Sequence, residues 1–112
     1  PQNLSVVHQN AQCATNKADE LSLMAGELSP DVFIITEHSF RSETVGNFRI
    51  DNYELATSFN RELFKGGGVA IFVKLGMEFL PFRIDHSCDL DFEVVGVKIN
   101  LNPENKIIII GL

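Results

Sequence analysis

Tryptophan is absent from these 112 residues, tyrosine occurs once and cysteine only twice. Cys13 and Cys88 lie far apart and form no C-x-x-C pair, so their spacing argues against a zinc site and favours free buried thiols in a reducing compartment. Basic side chains are also scarce: 9 Lys and Arg stand against 15 Asp and Glu, for a net charge of -6. That balance argues against a general basic footprint for nucleic acid. It leaves room for a cluster of acids that needs a divalent cation before a phosphate can approach. Long apolar runs are missing as well. The longest, Ile107 to Leu112, is far shorter than the roughly 20 residues of a membrane helix. No basic segment followed by an apolar one reads as a signal peptide after Pro1. No membrane partner is expected.

Hydrophobic residues make up 45% and charged residues 21% of the chain, ordinary globular values, so the expectation is one domain or part of one. The chain is organised around Asp31-Val32-Phe33-Ile34-Ile35-Thr36-Glu37. Its β-branched and aromatic residues after Pro30 read as a strand buried on both faces, ending abruptly on an acid. In open α/β sheets, ligands gather outside the carboxyl ends of the strands. An acid at that rim can hold a metal ion or a proton, whereas an acid in an ordinary loop is simply solvated. Position alone leaves both readings of Glu37 open.

Leu4 to Asn10 begins with β-formers and turns polar, which suits a first strand delivering Asn10 to the same rim. Asn16 is placed to cap a helix whose first turn carries Asp19 and Glu20, favourable near the positive end of the helix dipole. Ala18, Leu21, Ala25 and Leu28 form its apolar stripe, with Met24 beside them. Gly26 weakens that helix, and Pro30 pushes Ser29 out of helical geometry. Strand, helix, strand implies parallel first and second strands joined by a right-handed crossover.

His38 to Asn47 reads as a loop. Tyr53, Leu55, Thr57 and Phe59 alternate with Glu54, Ala56 and Ser58 as a half-buried strand. Lys65-Gly66-Gly67-Gly68 is a turn, and Val69 to Val73 a second buried strand. Met77 to Phe82, broken by Pro81, suits a sheet edge. Asp85 to Asp91 is an acidic loop, and Phe92 to Ile99 with Lys106 to Ile110 form a hairpin. One helix cannot cover both faces of a sheet with this much apolar surface, so the fold reads as cut, and open apolar sheet is an association hazard.

Asn10 ending strand 1, Thr36-Glu37-His38 ending strand 2, Arg61 in the link to Gly66-Gly67-Gly68-Val69-Ala70-Ile71-Phe72-Val73-Lys74, and the closing Ile108-Ile109-Ile110-Gly111-Leu112 together resemble the endonuclease/exonuclease/phosphatase superfamily. More narrowly, the pattern looks like the endonuclease domain of non-LTR (LINE-type) retrotransposon polyproteins. The stretch from Gly66 to Lys74 is its most specific piece. The resemblance implies an α/β fold, a partial four-layer α/β sandwich with a mixed, mostly antiparallel sheet and one main helix. Residues 1–112 would then be the N-terminal part of a single domain, truncated at its C-terminus. It further implies Mg2+-dependent (or Mn2+-dependent) nicking of DNA to leave a 3' hydroxyl that primes reverse transcription. The implied partners are DNA, the remainder of the same domain and a reverse transcriptase domain of the parent polyprotein, and the implied location is intracellular, nucleus or cytoplasm.

By the same resemblance, Glu37 is the metal ligand and Asn10 helps to hold metal and phosphate. A hard cation takes such oxygen ligands and keeps positions for water and a phosphate oxygen. The family's catalytic Tyr, its Asp-x-Asn pair and its Ser-Asp-His tail have no counterpart in these residues, so the chain alone is expected to be inactive. Asp85-His86-Ser87 reverses that tail and reads as loop. Arg61 is either solvated or in contact with a DNA phosphate. His38 reads as a surface neighbour, His8 as packed or edge-exposed, and Glu93 as an outward strand residue. The three glycines lack the Lys-Ser/Thr and following helix of a P-loop. Two alternatives stand beside the endonuclease: a phosphoesterase of the same fold acting on small or lipid phosphoesters, and a decayed, non-catalytic fragment.

Overall fold

The structure, a computed structural model, describes residues 4–11, 17–36, 48–59, 68–83, 95–100 and 106–111. In chain order the elements are β1 (Val6–Asn10), α1 (Ala18–Leu28), β2 (Val32–Thr36), β3 (Tyr53–Phe59), β4 (Val69–Lys74), β5 (Glu78–Arg83), β6 (Val95–Asn100) and β7 (Lys106–Gly111). They form two sheets, a four-stranded one in the order β1-β2-β4-β3 and a three-stranded one in the order β5-β6-β7. β1 and β2 are parallel, as the strand-helix-strand pattern predicts, and the remaining pairs are antiparallel.

The uninterrupted apolar runs occupy the centre of the first sheet. β2 is buried at all 5 positions and β4 at every position before Lys74. Successive side chains on a strand point to opposite faces, so each run feeds two cores. Phe33, Ile35, Ala70 and Phe72 pack with Leu21 and Ala25 of α1. Val32, Ile34, Val69, Ile71 and Val73 pack with Val97 and Ile99 of β6. The layers are therefore helix, sheet, sheet: three of the four layers expected. The face that one helix cannot cover is covered by the second sheet.

Several local expectations are corrected. The helix has Lys17 at its N-cap position, with no side-chain cap bond, although Asp19 and Glu20 do occupy the first turn; Asn16 lies outside the described residues. Leu28 is 59% exposed despite its place in the stripe. Among the described residues the helical contribution to the core ends at Ala25, and the last half-turn is exposed. Ser29 does leave the helical region before Pro30, but into the left-handed basin at φ 46 rather than into extended backbone. Its N–H donates to the Ala25 carbonyl, while Lys74 Nζ donates to the Ser29 carbonyl and hydroxyl oxygens and holds that turn.

The alternation in β3 also breaks. Pairing with β4 shifts between Leu55 and Thr57, which makes Ala56 the extra residue of a bulge. Up to the bulge the expected alternation holds, with Tyr53 and Leu55 on the helix side and Ala56 on the other; beyond it Thr57 pairs with Ile71, a residue of the second core. β5 sits at a sheet edge, where Pro81 is tolerated. Gly76, at φ 95, turns the chain from β4 into β5, and Gly68, at φ 97, precedes β4. Gly66 and Gly67, the loops 38–47 and 85–91, Cys13, Cys88 and Glu93 lie outside the described residues.

Candidate functional site

Parallel pairing brings the carboxyl ends of β1 and β2 side by side, with Asn10 in register with Thr36. On β1, Val7 turns inward to the helix-side core, while His8 and Asn10 are exposed. They share the face of Ile34 and Thr36, their register partners. Among the described residues, the second sheet packs on β2 and β4 rather than over His8 and Asn10.

Short polar contacts fix the rim. The N–H of Ala11 donates to the Thr36 carbonyl at 2.9 Å, extending the ladder by one step beyond Asn10. Lys17 Nζ donates to the Ala11 carbonyl at 2.6 Å, and Gln9 Nε2 to the Asn10 carbonyl at 3.1 Å. His8 Nε2 lies 3.1 Å from the hydroxyl oxygen of Thr36, a side chain only 8% exposed. Beside Asn10 opens a cavity of about 320 Å³, with Gln9, Lys17 and Glu20 on its polar walls and Leu21 and Met24 below.

Of the residues singled out by sequence, Asn10 stands at this rim. Glu37 and Arg61 lie outside the described residues, as does His38. Glu37 follows Thr36 in the chain, and Thr36 is the register partner of Asn10. The amide oxygen of Asn10 is of the kind a magnesium ion takes. Among the described residues no three His, Cys, Asp or Glu side chains gather into a metal-holding group. His8, Ala11 and Lys17 were not legible as parts of the rim. The smallness of Ala11 directly after Asn10, and a lone Lys before an acidic first turn, were the available signals.

The opposite end of the sheet is built differently. The Asp31 carboxylate accepts from the Ser5 N–H at 3.0 Å and pairs with Lys74 at 3.9 Å. The Tyr53 hydroxyl donates to the Pro30 carbonyl. Burial, and then the negative charge of Asp31, push the Tyr53 phenol above its ordinary value. A cavity of about 440 Å³ there has apolar walls of Phe48, Ile50, Leu55 and Phe72, with Arg49 and Glu54 at its edge.

The two-sheet core with α1 on one face decides what the chain resembles. It is similar in fold to an AP endonuclease. The crystal structure of AP endonuclease LMAP from Leishmania major matches 96% of this chain with a TM-score of 0.70 and 16% sequence identity. The match covers 39% of that protein, so the chain spans well under half its length. The architecture is thus mixed α/β with mostly antiparallel strands and one helix, consistent with the fold of that AP endonuclease. No protein-family profile matches the chain, and no curated protein matches it. No helix among the described residues is long and apolar enough to cross a membrane.

Proposed function

We propose that the chain is the N-terminal part of a divalent-metal-dependent DNA endonuclease of the retroelement type, which nicks its target and leaves a 3' hydroxyl for reverse transcription. The observation that carries this reading is the pairing of Asn10 with Thr36, the residue before Glu37, at the carboxyl rim of a parallel strand pair in an AP-endonuclease-like fold. In it, Glu37 and the Asn10 amide oxygen hold Mg2+ or Mn2+, Asn10 also orients the phosphate, and Arg61 contacts the DNA backbone. Bound there, the ion would neutralise the scissile phosphate and lower the pKa of a water molecule. The net charge of -6 makes the cation a precondition for approach of the polyanion.

The groups that orient the attacking water and stabilise the leaving oxygen belong, in this reading, to the remainder of the same domain, with a reverse transcriptase domain further along an intracellular polyprotein. The 112 residues alone are then inactive, because catalytic groups that act as a unit fail together. Supercoiled-plasmid nicking with Mg2+ tests this on three proteins: the chain alone, the chain with its continuation, and the continued form carrying Glu37→Ala. The expected result is nicking by the continued wild type only. Hydrolysis of a small phosphoester with intact plasmid would replace the DNA substrate by a small or lipid phosphoester. Absence of both activities would leave a decayed, non-catalytic copy.

A further inference from the structure

We draw no further inference here: the strongest candidate, the cavity of about 440 Å³ with apolar walls of Phe48, Ile50, Leu55 and Phe72 at the end of the first sheet away from Asn10, carries none, because nothing in the structure shows what fills or covers it.

Discussion

In the first sheet, β2 and β4 are apolar at almost every position and serve two cores. In the second, β6 alternates, with Val97 and Ile99 buried and Lys98 and Asn100 half-buried. The first sheet lies between α1 and the second sheet, whereas among the described residues the second sheet is covered on one face. Its outer face carries Leu80 and Ile108, both 61% exposed, on either side of Lys98 in the register. Burial on both faces demands a continuous hydrophobic run, and burial on one demands alternation. The two sheets therefore differ in how much stability a side chain can contribute, and in what a polar replacement does.

The largest effects should separate the sheets at their centres. Phe33→Ala, deep on the helix side, should cost about 3–5 kcal/mol, and Ile99→Ala about 2–3 kcal/mol, read as the loss in urea-unfolding free energy. Equal losses would mean that the second sheet is as tightly held as the first.

A smaller effect belongs to the end of the first sheet that lacks the candidate site. Tyr53→Phe removes the hydrogen bond to the Pro30 carbonyl and should cost about 1 kcal/mol. Burial and Asp31 raise the Tyr53 pKa, so the folded state keeps its proton where the unfolded state has lost it. Its contribution is fully present below the unfolded value of about 10 and is lost as pH rises from there through the folded value. The alkaline limb of a stability-versus-pH curve should flatten in Tyr53→Phe; an unchanged limb would remove Tyr53 as its cause.

The helical cover of the first sheet can be sharpened by Gly26→Ala. A Cβ there meets no atom within 4 Å, and the change should raise stability by up to about 1 kcal/mol. A loss in thermal or urea unfolding would contradict the open surroundings of Gly26. Smallest of all, Leu80→Thr and Ile108→Thr on the outer face of the second sheet should each shift stability by less than about 0.5 kcal/mol. Both should reduce self-association in sedimentation velocity, since an open apolar sheet face invites contact. A loss as large as that of Ile99→Ala would show that this face is already packed.

Strands whose pattern carried one unambiguous period were legible: β2 and β4 as buried runs, β1 as a strand ending on Asn10, β6 and β7 as a hairpin. Where a second force intervenes, the pattern failed. Alternation in β3 cannot announce the Ala56 bulge, because a bulge is a property of the pairing with β4 rather than of either strand. The stripe of α1 includes Leu28, but only the position of the sheet beneath decides where the stripe stops being covered. Of the candidate site, Asn10 was readable as a polar residue at a strand end; the diagonal reach of His8 to Thr36 was not.

The sequence by itself determined the element types, the parallel first pair and the placing of Asn10 and Glu37 after runs of β-formers, since hydrophobic periodicity and chain connectivity are local and one-dimensional. Only the tertiary structure decided that the strands divide into two sheets, that the second sheet rather than another helix covers the far face of the first, and that His8, Ala11 and Lys17 tie the rim together. Those outcomes depend on which surfaces meet, and side chains separated by 28 positions become hydrogen-bond partners only once β1 and β2 lie in register.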